Sequence, residues 1–226
     1  MNGMNALQRL TEGWRLERER LAEWEAANPE IAAAWSDAAE EGERRKSERQ
    51  RRESADWALR DARVPERVRA VLTAGADKTP AVLAVLRWLE GSRSFLLLAG
   101  GTGTGKTIAA CHALERGGVF ERAVSAGRLG LYGDEDVARM RALRRARVLV
   151  LDDLGAEFAG DVWRAQFDEL VDERYGDRLR TVITTNLSPD AVRERYGARV
   201  ADRIRHDGQV VTCGAESLRT PGGGAR

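Results

Sequence analysis

Hydrophobic positions change their rhythm along this chain. Near the start, Leu7, Leu10, Trp14, Leu21, Trp24, Ile31 and Trp35 recur at three- and four-residue spacing with Arg and Glu between them. That is one apolar stripe along a helix. Asn28-Pro29 interrupts it as an N-cap followed by a first-turn proline, which predicts two helices. Trp is enriched at interfaces, so the stripe is either a partner surface or the small core of a helical hairpin. Residues 40–53, EEGERRKSERQRRE, have no apolar period and read as a solvated helix or linker. Their basic cluster, Arg44, Arg45, Lys46, Arg49, Arg51 and Arg52, is a candidate for a nucleic-acid backbone. From Trp57 short helices follow: Val64-Pro65 opens one running to about Thr73, Thr79-Pro80 opens AVLAVLRWLE, and Gly91 ends it.

Farther on, the apolar runs become continuous. Phe95–Ala99, Val148–Leu151, Thr181–Asn186 and Gln209–Cys213 read as strands, with Val119–Ser125 as a weaker one. Helical stretches separate them at Ile108–Leu114, Asp134–Arg145, Val162–Tyr175, after Ser188-Pro189, and on a short segment bearing Arg199 and Arg203. Strands without polar alternation, joined by helices, belong to a parallel sheet covered on both faces, so the fold class is α/β. The segment GGVFERAVSAGRLG is poor in the apolar residues a central second strand requires. There is no internal repeat.

The first of these strands runs into the chemistry. FLLLAGGTGTGKT fits GxxxxGK[ST], with Gly100, Gly101, Thr102, Gly103, Thr104, Gly105, Lys106 and Thr107 forming a loop between strand and helix. Such a loop turns backbone N–H groups inward at a helix N-terminus, where they hold phosphate oxygens. Lys106 then reaches the β- and γ-phosphates of ATP, and the Thr107 hydroxyl takes Mg²⁺. Val148–Leu151 ends in Asp152-Asp153, the pattern in which a buried strand delivers a carboxylate beside the phosphate loop. Asp152 is the expected metal-linked carboxylate, and Asp153 the general base or water-orienting group. Asn186, at the tip of the next strand, is placed to bond the γ-phosphate or the attacking water; taken alone it is a turn residue.

Composition sets limits on the rest. A length of 226 residues and 42% hydrophobic content allow one medium α/β domain and an appendage. With 37 basic and 36 acidic residues, any nucleic-acid contact must come from local patches. Cys111 and Cys213 are isolated thiols, and the histidines are His112 and His206, so neither a disulfide framework nor a zinc site is indicated, which suits a reducing cytosol. No apolar run approaches the roughly 20 residues of a membrane span, and no signal peptide is visible.

Taken together, Val64-Pro65-Glu66-Arg67, GGTGTGKT, VLVLDDLG, DERYGDRLRTVITTNL, GARVADRI and the closing Ser217-Leu218-Arg219 resemble the AAA+ ATPases of the DnaC/IstB group, bacterial and phage helicase loaders and transposon helper ATPases. The likeness runs from about residue 60 to residue 219. It implies a three-layer P-loop NTPase domain with a central parallel sheet and no separate lid, preceded by a small helical N-terminal region. It also implies that Asn186 is the sensor 1 residue, Arg203 of Asp-Arg-Ile the arginine finger and Arg219 sensor 2. Arg199, one turn before Arg203, competes for the finger role. The N-terminal region lacks the cysteines of loaders that carry a metal-binding motif there.

The expected organisation is a partner-binding helical region and charged linker over residues 1–56, the ATPase domain over 57–219 and a tail over 220–226. The expected function is a cytoplasmic, Mg²⁺-dependent ATPase that oligomerises with ATP, contacts single-stranded DNA and grips a replicative helicase. The alternative is a transposase helper on duplex DNA. A P-loop small-molecule kinase fits less well, because Asp152-Asp153 with Asn186 suits water activation. A nucleotide-gated adaptor with negligible turnover stays open.

Overall fold

The computed structural model describes residues 6–75, 78–129, 133–158 and 160–214, with side chains from residue 14 onward. The chain divides into two compact units, Met1–Arg51 and Arg52–Arg226. The first unit holds α1 (Ala6–Ala27) and most of α2 (Pro29–Asp61). Trp24 and Trp35 stack across the turn, ring centroids 4.7 Å apart at 17°. Trp14, Leu21, Ile31 and the outer surface of Trp35 remain exposed. The hairpin therefore buries little of its own stripe. Asn28 holds the N-cap position of α2, its carbonyl accepting from Ala32 N at 3.0 Å, while its side-chain amide donates back to Trp24 O at 2.9 Å and closes α1.

Helix α2 runs unbroken to Asp61, spaced by i,i+4 pairs such as Arg45–Glu41 at 2.8 Å and Arg60–Asp56 at 2.9 Å, and the next helix follows Val64-Pro65 as the sequence predicts. Such pairs each contribute a few tenths of a kcal/mol, about 0.2–0.5, and offset the missing apolar face.

The second unit continues with α3 (Glu66–Gly75), α4 (Pro80–Glu90), β1 (Phe95–Gly100), α5 (Lys106–Cys111) with one 3₁₀ turn after it, and β2 (Val119–Arg122). Then come α6 (Ala123–Ala126), α7 (Asp134–Arg145), β3 (Val148–Leu154), α8 (Asp161–Gly176) and β4 (Arg180–Thr185). The last elements are α9 (Pro189–Tyr196), α10 (Ala198–His206) and β5 (Gly208–Cys213). Thr79 caps α4 by accepting from Val82 N at 3.2 Å, and Ser188 caps α9 through Ala191 N at 3.2 Å, as a hydroxyl before a first-turn proline should.

All five strands are parallel, in the order β2-β3-β4-β1-β5. Their period of two sorts the core. Leu96, Leu98, Val148, Val150 and Val182 face α4 and α5. Phe95, Leu97, Leu149, Leu151 and Ile183 face α8, α9 and α10. The weak second strand is shorter than expected, ending at Arg122 where α6 begins, and it lies at the sheet edge. An edge strand needs less apolar sequence; its free side is met by Phe120 N donating to Ala62 O at 2.9 Å.

Arg174 anchors the other end of the sheet. It is fully buried, and its guanidinium donates to Leu143 O (2.8 Å), Arg144 O (3.1 Å), Ala146 O (2.8 Å), Arg180 O (2.7 Å) and Thr181 Oγ1 (2.8 Å). Carbonyls at the end of α7 carry the negative end of its dipole, so this cation is held without a carboxylate. Burial still pulls its pKa down to about 10. Arg174→Met should cost about 3 kcal/mol or more, because it strands several buried carbonyls. Urea unfolding measures this, and a midpoint equal to the parent's would refute the anchoring role.

Candidate nucleotide site

The site forms where β1, β3 and β4 end. Gly100 has φ 153°, and a Cβ there would stand 2.5 Å from Cys213 O, so the loop leaves the sheet through a gap only glycine fits. Gly103 (φ 82°) and Gly105 (φ 77°) take left-handed conformations that turn the chain into α5. A Cβ on Gly101 would meet nothing within 4 Å, so that stretch of the loop is open. Thr102 is exposed, while Thr104 is buried and donates to Gly101 O at 3.0 Å, bracing the loop from within.

Lys106 is buried, and its Nζ donates to Gly100 O (2.8 Å), Gly101 O (2.6 Å) and Asn186 Oδ1 (3.0 Å). Asn186 in turn donates from Nδ2 to Asp153 Oδ1 at 3.1 Å. One amide thus joins the loop lysine to the second aspartate, a link that no local feature of the sequence displays.

Asp152 is buried, and its Oδ1 accepts two hydroxyls, from Thr107 and from Thr184, both at 2.7 Å. Burial pushes its carboxyl above the usual aspartate range, and the two hydroxyl bonds oppose that shift. A cation at this carboxylate would relieve the same cost. Asp153 sits at φ 61°, and the pairing of β3 with β4 slips between Leu151 and Leu154. This bulge exposes the Asp153 side chain while its N–H donates to Thr184 Oγ1 at 2.9 Å. Thr184 therefore fills the bulge and orients both aspartates. Sequence reasoning missed it; the signal was a polar Thr at a sheet-interior position just before Asn186.

Arg203 and Arg199 lie elsewhere. Val200 and Ile204 of α10 pack on one face of the sheet, and Ala109 and Ala110 of α5 on the other. Arg199 donates from Nε to Asp168 Oδ1 at 2.9 Å. Arg203 pairs with Asp168 at 3.6 Å and with Asp172. Both acids are on α8, so neither arginine meets the P-loop of its own chain. Arg219 lies outside the described residues.

The donor set fits ATP with Mg²⁺. Open glycine backbone and Lys106 suit phosphate oxygens, and Thr107 with Asp152 offers hard oxygen ligands. Among the described residues no group of three or more His, Cys, Asp or Glu gathers as a metal cage. Mg²⁺ chemistry asks for one or two protein ligands that share the ion with phosphate and water, and Thr107 with Asp152 would supply them. Among those residues no helix is long and apolar enough to cross a membrane.

Over residues 37–222 the chain matches the family described as IstB-like ATP binding protein. The chain belongs to this family. It is an α/β AAA+ protein of the DnaC/IstB group, with a P-loop and a five-stranded parallel sheet. The Sinorhizobium fredii protein y4pL, named as an insertion sequence ATP-binding protein, is 30% identical over 146 residues, or 58% of this chain and 59% of y4pL. The match thus spans little more than half of that relative. Among solved structures, the DnaC helicase loader aligns with a TM-score of 0.57 at 23% identity, covering 66% of this chain and all 100% of that one. DnaI aligns with a TM-score of 0.57 at 21% identity, covering 67% and 95%. These two likenesses are of fold.

For an IstB-like protein with this geometry, Lys106→Ala should weaken ATP binding by about thirtyfold or more, since a charge-assisted bond to phosphate is worth about 1.5–3 kcal/mol. Thr102→Ala, on the exposed crest, should change it by less than about threefold. Titration with a fluorescent ATP analogue checks both, and comparable affinities for the two variants would overturn the assignment of Lys106.

Proposed function

We propose that the chain is a Mg²⁺-dependent ATPase that assembles with ATP on single-stranded DNA and loads a replicative helicase. The observation that carries the hydrolytic part is the Lys106–Asn186–Asp153 chain of hydrogen bonds beside the Thr107–Asp152 pair. Asp153, exposed and held at Oδ1 by Asn186, is placed to orient or deprotonate the attacking water. Mg²⁺, when bound, neutralises charge on the β- and γ-phosphate oxygens. Thr107 and Asp152 fix where it sits, Lys106 and the loop N–H groups grip the phosphates, and Thr184 keeps both aspartates aimed. Arg203 and Arg199, across the sheet from α5, are suited to a neighbouring subunit's site. An arginine supplied in trans stabilises the charge of the transferring phosphoryl group. Arg219 keeps its place as the sensor 2 residue of the same reading.

The partner surface in this reading is the N-terminal stripe, where Trp14 is 62% exposed and Trp35 60%. Exposed Trp of this kind anchors protein interfaces. A second reading, a helper of a transposase on duplex DNA, is favoured by one observation, the sequence likeness to a protein named for an insertion sequence.

Thr184→Val and Asp153→Asn should keep ATP affinity within about threefold while turnover falls by about tenfold or more, the loss of roughly 1.4 kcal/mol of transition-state stabilisation. Steady-state phosphate release equal to the parent's in both would sink the hydrolytic assignment. Mixing Arg203→Ala with Lys106→Ala chains on DNA should restore part of the activity each lacks, because some interfaces then pair an intact P-loop with an intact arginine. A flat response to mixing ratio would reject the trans role, and the same titration with Arg199→Ala identifies the finger. Pull-downs with the host helicase and with a transposase encoded nearby separate the two partners. Trp14→Ala should weaken binding of that partner by about tenfold or more.

A further inference from the structure

Helix α7 presents two unlike faces. Met140 and Leu143 are buried beneath it. On its outer side Val137, Arg141, Arg144 and Arg145 fall at intervals of four, three and one, a single stripe along one flank. This stripe borders a groove of about 310 Å³ between α7 and α8, with Gln166 and Glu173 on the opposite wall, the carboxylate of Glu173 being taken up by Arg144.

The arginines of the groove are not equivalent. Arg144 is paired with Glu169 at 2.5 Å and Glu173 at 2.8 Å. Arg141 and Arg145 are exposed and have no ion-pair or hydrogen-bond partner among the described residues. They stand one helical turn apart, and like charges at that spacing repel, a standing cost that a chain of phosphates would remove. Two buried polar atoms at the groove are also without partners among the described residues, Arg144 Nε as a donor and Gln166 Oε1 as an acceptor. Gln166 is held in place by its other end, Nε2 donating to Leu129 O at 2.9 Å. Val137, 46% exposed, adds an apolar surface at the same mouth. The negative first turn of α7, Asp134, Glu135 and Asp136, lies at the opposite end of the helix from Arg144 and Arg145.

Positive charge in register with a backbone, a polar pair set deeper and an apolar lip match a nucleotide strand better than a protein side chain. The volume accommodates about one nucleotide at a time, at the low end of ligand-sized pockets. In the α2 cluster Arg44, Arg45 and Lys46 pair internally with Glu41 and Glu43, while Arg51 and Arg52 stay exposed, so the groove is set apart by its walls and its deeper polar pair rather than by free charge alone. We propose that the α7–α8 groove seats the sugar-phosphate backbone of single-stranded DNA, with Arg141 and Arg145 on successive phosphates and Val137 against a sugar or base. This rests on the proposed DNA-bound function and names the surface that such a function requires.

The test is fluorescence anisotropy of a labelled oligothymidylate with the full chain and ATP, across a salt series. The double variant Arg141→Gln/Arg145→Gln should bind about tenfold more weakly at moderate salt. Its log–log salt slope should be shallower by about 1.4, about 0.7 for each single-strand phosphate that the variant no longer neutralises. ATP affinity should be unchanged. Arg44→Gln/Arg45→Gln, which removes the same charge from α2, should leave DNA binding as in the parent. Parent-like affinity and slope in the groove variant would overturn the proposal, as would an equal weakening in the α2 variant. Failure to bind the protein partner with DNA binding intact would make the groove a protein-docking face and overturn it too. If the parent chain itself shows no salt-dependent binding, the DNA reading fails and the groove assignment falls with it.

Discussion

The site depends on one buried carboxylate. Asp152 takes two hydroxyls on a single oxygen, one from the P-loop helix and one from β4. Three elements converge there only because β1, β3 and β4 are parallel neighbours that end together. Removing a carboxylate from water carries a cost that hydrogen bonds recover in part. The remainder is a standing preference for a cation at that position. The slip in pairing between β3 and β4 serves the same end, since a regular ladder would send Asp152 and Asp153 to opposite faces. With the bulge, Asp152 stays beneath the loop and Asp153 emerges at its mouth, and Thr184 closes the gap.

Opposite ends of the sheet solve opposite electrostatic problems. At the strand C-termini, backbone N–H groups and Lys106 gather positive charge for phosphate. At the strand N-termini, guanidinium groups, one buried and one half-buried, meet helix ends rich in carbonyl oxygen. Arg174 closes α7, and Arg180 closes α4 through Gly91 O at 2.7 Å and Trp88 O, with its guanidinium 4.1 Å from the Trp88 ring centroid. Arginine suits this work because its fork fills several carbonyls in one plane. The anchored end resists fraying, so the working end can hold glycine-rich backbone and a left-handed Asp153 without loss of the sheet.

Much of this is legible in the sequence, and the exceptions share a cause. The four apolar runs, the P-loop and Asp152-Asp153 are readable because each is local: a period, a turn, an acid at a strand end. Capping by Thr79 and Ser188 is readable for the same reason. What is not readable needs a partner from far along the chain. Thr184 looks like an ordinary β-branched strand residue until β3 lies beside it. The second strand looks too polar for a central position, and it proves to be an edge. Asp168 and Asp172 look like the solvated side of an amphipathic helix, and nothing local shows that they hold Arg199 and Arg203. The lapse of the apolar period over residues 40–53 leaves helix and linker both open, and α2 proves to continue through it, because ion pairs at i,i+4 sustain a helix without an apolar face.

The arrangement of those arginines bears on the role in trans proposed for them. The sheet separates α10 from α5, so the phosphate cradle and the arginine pair face different directions within a single subunit. A continuous set of contacts nonetheless joins them. Gly155 N donates to Glu157 Oε2 at 2.8 Å just beyond Asp153, and buried Glu157 is bonded by Tyr196, while Arg195 donates to its carbonyl at 2.6 Å. Tyr196 closes α9 directly before α10, and α8, which begins after the same loop, carries the two acids that clasp Arg203. The loop behind Asp153 thus packs against both the floor and the clasp of the arginine helix. Packed elements of this kind pass displacement on as rigid bodies. In the reading proposed above, this set of contacts is what would link the phosphate site to the arginines offered to a neighbour.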